Sequence, residues 1–389
     1  MFPTLSDIIN YLTGVYINMP IKTYGFFLAL AFLVAGIWLY NELQRMERAG
    51  FLQGVKEKFI IGQPAGLVEI LVNMVLGFLL GYKGVAAVMH WKEFSNDTET
   101  FLQSGSGSLL GGVALAIIMG VWRYYEKEKQ RLPQPQEVEE VIFPHQRVGD
   151  LIIVAAIFGI VGSKIFTWIE DIDGFMRDPI GAILSFSGLT FYGGLICAAI
   201  AVSWYARNKK ISLLYLIDAT APALILAYGI GRLGCHFSGD GDWGVSNLSP
   251  KPFAWLPDWA WAYTYPNNVI ERGIPIPGCV GHYCNVLPEP VWPTSVYEFS
   301  MSVLIFLFLV AVRKKINIAG MLFSIYLFLN GLERFSIERV RINERYDVGG
   351  SAYSQAQIIA IVLMLLGIAG GILAYYYHNN SKQKNKPTA

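Results

Sequence analysis

Residues 295–312 read SVYEFSMSVLIFLFLVAV and are followed at once by Arg313-Lys314-Lys315. Eighteen residues with a single charge, Glu298, have the length and polarity of a bilayer-crossing helix rather than of a soluble one. The acid opens the run and the bases close it, so this segment carries both an orientation signal and a polar group at its opposite end. Eight further runs of this kind occur, at 24–41, 66–90, 108–122, 150–168, 189–205, 212–232, 318–336 and 354–377. Together with 295–312 they predict an all-α polytopic membrane protein of about nine spans.

Composition agrees. Of 389 residues 54% are apolar and 15% charged, and mean hydropathy is +0.42. A soluble domain carries about 25% charge, so a soluble globular or disordered chain is excluded. A net charge of +1 gives no reason to expect nucleic acid as a partner. Eighteen of the 30 basic residues fall within 45–58, 123–147, 207–210, 313–315 and 382–386, all on one side of the predicted topology. The positive-inside rule makes that side cytoplasmic. The N-terminus is then outside and the basic tail 378–389 inside.

Residues 1–22 lack a basic n-region and a small-residue cleavage site, and read as an external interfacial arm before one transmembrane domain, 23–377. The loop 233–293 faces the exterior in this topology. It holds five of the ten tryptophans and the run FAWLPDWAWAYTYP (253–266), rings suited to a headgroup layer of membrane lipids.

The polar residues that break the apolar pattern gather at one depth. Arg232 ends the sixth span, Tyr297 and Glu298 open the seventh, and Tyr24 and Tyr192-Gly193-Gly194 open the first and fifth on the same side. Asn330, Arg334, Glu338, Arg341 and Arg345 follow one another at spacings of 4, 4, 3 and 4, one helical face if the helix runs on past the membrane edge. Snorkelling and Glu–Arg pairing would explain an isolated charge run. With Gln357 opening the ninth span, convergence of polar residues from six spans favours a site, and arginine forks match a phosphate. The segment GIGRLGCHFSGDGDWG (229–244) adds glycines for close backbone approach beside Arg232, His236, Asp240 and Asp242. His90, His145, His236, His282 and His378 are not at ligand spacings, so no metal is expected. Cys279 and Cys284, in the exterior loop, are expected to form a disulfide.

Five motifs, in order, resemble those of the bacterial prolipoprotein diacylglyceryl transferases. GRLGCHFSGDGDWG (231–244) is similar to G-R-x-G-N-F-x-N-x-E-x-x-G and WPTSVYE (292–298) to H-P-[ST]-Q-x-Y-E. GLERFSIERVR (331–341) is similar to Y-G-x-x-R-F-x-x-E-x-x-R, LTFYGGLI (189–196) to F-H-G-G-L, and IKTYGFFLA (21–29) to W-Y-G. Tyr192 stands at the family's usual histidine, Cys235 at an asparagine, Trp292 at a histidine and Asn330 at a tyrosine. Either Asp240 or Asp242 replaces the family glutamate. The stretch 50–145, with two spans, reads as an insertion into seven family-like spans.

The resemblance implies transfer of a diacylglyceryl group from phosphatidylglycerol to the lipobox cysteine thiol of a prolipoprotein signal peptide. Glycerol phosphate is released, no cofactor takes part, and the site lies near the outer leaflet of the bacterial inner membrane. It implies Arg232 and Arg334 on the phosphate, Glu338 orienting Arg334, and Arg341 as an electrostatic contributor. The base is left among Tyr192, His236 and the Asp240/Asp242 pair. Tyr24, Gly193, Gly194, Gly234, Trp243, Gly244, Tyr297, Glu298 and Asn330 complete the expected substrate-binding set. A lipid or small-anion transporter is the alternative, although it lacks the expected repeats and midplane charges.

Overall fold

The computed structural model describes residues 1–96, 98–184, 190–343, 345–348 and 351–384. Leu189 of the fifth expected span, the side chain of Arg345 and residues 385–389 of the basic tail lie outside what it describes.

Ten helices carry the fold. They are α1 (Leu5–Thr13), α2 (Thr23–Arg48), α3 (Leu67–Met89), α4 (Leu109–Lys129) and α5 (Val148–Glu170), then α6 (Phe191–Asn208), α7 (Leu213–Ser238), α8 (Thr294–Val312), α9 (Met321–Ile337) and α10 (Gln355–Lys384). Each expected span has its helix. Seven are long and apolar enough to cross a membrane, which makes the chain a mostly helical, multi-pass membrane protein. The other two long helices, α6 and α9, are 18 and 17 residues long.

Strands were not expected, and three two-stranded antiparallel ribbons occur among the described residues. The longest pairs β1 (Val55–Ile61) with β2 (Gln136–Ile142), Val55 opposite Ile142 and Ile61 opposite Gln136. β3 (Ile274–Pro275) pairs with β4 (Asn285–Val286), and β5 (Arg345–Val348) with β6 (Ser351–Ser354). β-Branched and aromatic residues interleaved with charge in VKEKFII and QEVEEVI suit a solvated ribbon better than a helix.

The chain divides into two compact units, where the sequence reading has one transmembrane domain from 23 to 377. One comprises residues 1–52 and 211 onward, the other residues 53–210. In the second unit, α3 packs on α4 and α5 on α6. A Cβ at Gly193 would lie 2.4 Å from Phe166 Cβ and 2.7 Å from the Gly162 carbonyl. That close approach is what the Tyr192-Gly193-Gly194 motif provides here: it seats α6 against α5. The second unit thus extends past the 50–145 segment to include both of these helices.

In the first unit, α7 is the central helix, packed on α2, α8 and α9, while α10 covers α9. Ile225, Leu309 and Leu322 form a buried apolar cluster between α7, α8 and α9, joined by Tyr228 and Tyr326. Asp218 of α7 caps α9, accepting the backbone N–H groups of Gly320 (2.7 Å) and Phe323 (2.8 Å). At the same end of the bundle Glu42 accepts Arg45 at 2.6 Å and also pairs with Arg313, whose guanidinium lies 4.6 Å from the Trp38 ring centroid. The N-terminal arm contains α1, closed by a Thr4–Asp7 capping box, and Phe2 donates its N–H to the Phe237 carbonyl at 2.8 Å.

Candidate active site

At the other end of α8, four elements bring three arginines and three carboxylates together. Arg232 comes from the last turns of α7, Glu298 from the start of the second turn of α8, and Arg334 from the last turn of α9, with Glu338 at that helix's C-cap. Asp242 and Arg341 come from the chain beyond helix ends. Glu298 is completely buried and takes a contact from each guanidinium: Arg334 Nη1 at 3.0 Å, Arg341 Nη1 at 3.2 Å and Arg232 Nε at 3.2 Å. Asp242 bridges Arg232 and Arg341 through its two oxygens. Arg334 also reaches Glu338 at 3.3 Å, while the Asn343 side-chain amide donates to the same carboxylate. Arg232 lies over the Tyr228 ring, 4.9 Å from its centroid, a cation–π contact that orients the guanidinium from below.

The local sequence explains the placement. α7 stops at Gly239, where φ is +67°, and Gly241 follows at +98°; glycine takes both without the steric cost of a Cβ. The turn delivers Asp242, whose carbonyl is pinned by the hydroxyls of Thr294 and Ser295, each donating at 2.8 Å. Gly244 then pairs with Arg341 in a short antiparallel bridge, and a Cβ there would lie 2.4 Å from the Val340 carbonyl.

Arg341 therefore arrives by a route the spacing of 4, 4, 3 and 4 does not describe. α9 ends at Ile337, and residues 338–340 turn so that Arg341 pairs with the loop strand at Gly244. The expected continuous helical face from Asn330 to Arg345 is corrected accordingly: Arg345 belongs to β5. Backbone pairing with the Gly244 segment satisfies groups that a helix extended past the bundle would leave to solvent. Arg341 is as a result only 10% exposed.

The alternatives at 235–242 separate. Asp242 is the carboxylate in the arginine cluster. Burial alone would raise its carboxyl, but Arg232 and Arg341 hold it below the usual range. Asp240 lies outside the cluster and accepts the Asp242 N–H at 3.2 Å; burial, then the neighbouring Asp242 charge, raise its carboxyl above the usual range. Cys235 is buried, with one ligand-type atom each from it, Asp240 and Asp242 within 4.8 Å of one another. Those are the residues best grouped for a metal among those described, yet Asp242 already carries two guanidinium groups.

His236 is buried elsewhere. Its Nδ1 is 3.2 Å from the Tyr265 hydroxyl, among the rings of Phe237, Trp259, Tyr263 and Tyr265. Trp243 belongs to the buried cluster of the long loop between α7 and α8, with Tyr265, Leu287 and Val291. Tyr297 donates to the Ala260 carbonyl at 3.0 Å and fastens that loop to α8. Gly234 lets α2 close on α7: a Cβ would lie 2.8 Å from Phe27 and 3.5 Å from the Tyr24 ring. Tyr24 is thereby set near Cys235, Asp240 and Arg232. Asn330 is half-buried one turn before Arg334. Tyr192, Gly193 and Gly194 belong to the other compact unit. Cys279 and Cys284 are joined in a disulfide.

Sequence reasoning missed Thr294, Ser295 and Asn343 as supports. The first two stand in WPTSVYE, where two hydroxyls at a helix start are a signal for binding backbone. It also passed over Glu333, an acid directly before Arg334 within an apolar run.

Residues 109–373 match the family described as prolipoprotein diacylglyceryl transferase. A phosphatidylglycerol–prolipoprotein diacylglyceryl transferase of Dehalococcoides mccartyi is 31% identical over 225 residues, covering 56% of this chain and 75% of the relative. A protein of the same name from Corynebacterium glutamicum is 29% identical over 276 residues, 70% of this chain and 78% of the relative. One from Clostridium novyi is 28% identical over 223 residues, 57% and 77% respectively.

Proposed function

We infer that the chain, which belongs to the prolipoprotein diacylglyceryl transferase family, transfers the diacylglyceryl group of phosphatidylglycerol to a prolipoprotein. It is an enzyme of lipoprotein biosynthesis. The observation that carries the reading for this chain is the cluster of Arg232, Arg334 and Arg341 around Glu298 and Asp242 at one end of α7, α8 and α9. Three guanidinium groups on separate elements, held by buried carboxylates, form a preorganised receptor for a phosphate.

The chemistry follows from charge. The acceptor is the thiol of a lipobox cysteine. Its sulfur attacks the glyceryl carbon, the carbon–oxygen bond to phosphate breaks, and glycerol phosphate leaves with the electron pair. Arg232 and Arg334 stabilise charge developing on the leaving phosphate, and Arg341 adds to their field. Glu298 and Glu338 hold the forks in register. The thiol proton needs an acceptor, and Asp240 is the favoured one of the candidates. It lies beside the cluster without an arginine partner, and its raised carboxyl suits proton exchange better than an arginine-locked Asp242. His236 is engaged with Tyr265.

The same reading places all nine long helices across the inner membrane, with the N-terminal arm outside, the basic tail inside and the arginine cluster near the outer leaflet. Eighteen basic residues on one side support it. Residues 1–22 are then an interfacial arm, 233–293 an external aromatic loop, and 50–145 an inserted pair of helices. Incubating purified protein with phosphatidylglycerol and a lipobox peptide should add the mass of one diacylglyceryl group to the peptide cysteine. An unmodified peptide would retire the assignment. In intact cells, single cysteines placed in 246–270 should react with a membrane-impermeant thiol reagent, while those in 124–132 should not; the reverse pattern would move the site to the cytoplasmic side.

A further inference from the structure

Glu333 precedes Arg334 on α9, and no contact of the arginine cluster uses it. Its side chain is 3% exposed, and neither carboxylate oxygen has a hydrogen-bond or ion-pair partner among the described residues. Leu322 and Tyr326, 11 and 7 residues earlier, share its helical face and pack in the apolar cluster with Ile225 and Leu309. Glu333 thus stands where that apolar cluster meets the arginines. The charged and titratable groups facing it are Arg232 and Tyr228 of α7, Glu298 of α8, Tyr326 and Arg334 of α9, and Arg341. The Tyr228 hydroxyl is also without a hydrogen-bond partner.

The cluster's charges are already matched, with Arg232, Arg334 and Arg341 set against Asp242, Glu298 and Glu338. An ionised Glu333 beside them would be an unmatched negative charge, buried with no donor among the described residues and facing Glu298. Such a charge is costly inside a helical bundle at membrane depth, and it would repel an incoming anion.

We propose that Glu333 is a positioning residue kept as the neutral carboxylic acid, which leaves the three-arginine cluster charge-balanced and able to accept the single negative charge of a lipid phosphate. The proposal rests on the transferase reading and deepens it: the cluster selects an anionic headgroup only while this acid holds its proton. Alkaline pH that ionises Glu333 adds a charge of the phosphate's own sign next to Arg334 and weakens headgroup binding. Glu333→Gln fixes the neutral state and removes that dependence.

Two readouts test it on the full-length protein in phosphatidylcholine nanodiscs. The infrared spectrum at neutral pH should contain a protonated-carboxyl C=O band that Glu333→Gln lacks. Phosphatidylglycerol binding, titrated from about pH 6 to about pH 10, should weaken in the wild type by roughly tenfold per pH unit once the acid ionises. It should stay flat in Glu333→Gln and keep its slope in Glu333→Asp. Identical infrared spectra would overturn the proposal, as would parallel binding curves for wild type and Glu333→Gln. So would loss of binding in Glu333→Gln at neutral pH, which would make the ionised carboxylate an arginine partner. If Glu333→Gln fails to insert, a pH-independent wild-type curve overturns the proposal by itself. Absence of phosphatidylglycerol binding at every pH, with the infrared band present, would instead bring down the lipid reading and this inference with it.

Discussion

The two ends of α8 carry the same side-chain chemistry put to different uses. At its C-terminal end Glu42 binds Arg45 and Arg313, and the stack of Arg313 on Trp38 completes a small clamp between α2 and α8. At its N-terminal end Glu298 binds three arginines, but there the ion pairs are joined to a glycine turn, two pinning hydroxyls and two acids, Asp240 and Glu333, that no arginine holds. A helix of 19 residues spans about 28 Å, so the two clusters are separated by about the thickness of a bilayer's hydrocarbon core. Buried pairing by itself is weak evidence of either stability or function. What sets the N-terminal cluster apart is that its ion pairs come from several elements and lie beside two acids, Asp240 and Glu333, that the pairing does not use. The clamp ties all its pairs to Glu42.

The comparison breaks most sharply on the arginines. Arg232→Ala and Arg334→Ala are each expected to lower transfer about 10²–10³-fold at matched membrane abundance. Arg→Lys should recover only part of this, since an ammonium cannot reproduce the bidentate fork. Arg313→Ala at the other end should reduce yield and thermal stability while leaving transfer per folded molecule near normal. Initial rates on these variants decide; if Arg313→Ala is as inactive as Arg232→Ala, the two clusters do not differ in kind.

A smaller effect should separate the two aspartates. Asp242 titrates below its unfolded value, so it contributes stability above the usual carboxylate range that is lost as pH falls through its folded pKa. Asp240 is raised, so its contribution is present at acidic pH and lost as pH rises through its folded value. At neutral pH Asp242→Asn should therefore melt earlier and Asp240→Asn later than wild type. Asp240→Asn should nonetheless lose most transfer if it accepts the thiol proton. Melting curves in detergent read the first claim and initial rates the second, and an active Asp240→Asn would remove Asp240 from the reaction.

The smallest effect is expected at Cys279–Cys284, whose bridge closes only a short loop and, among the described residues, contributes no contact to the arginine cluster. Replacing both with serine should cost on the order of a few kcal/mol at most and leave the rate unchanged. A large loss of transfer would tie the loop tip to the reaction.

Sequence patterning alone determined the nine long helices and their order, because a bilayer segment must satisfy its backbone internally and a run of apolar residues near 20 long has few other fates. It also supplied Arg232, Glu298 and Arg334, since each charge interrupts an apolar run at a helix end. It could not choose between Asp240 and Asp242, because which carboxylate meets the guanidinium groups depends on the two positive-φ glycines and on hydroxyls 52 and 53 residues away. Helical spacing likewise missed the path of Arg341, whose approach is set by a backbone bridge to Gly244 across 97 residues of chain. The partnerless burial of Glu333 was equally invisible, because burial is a property of what packs around a side chain and not of the side chain's neighbours in sequence. Periodicity describes one element at a time; the cluster exists only where four of them meet.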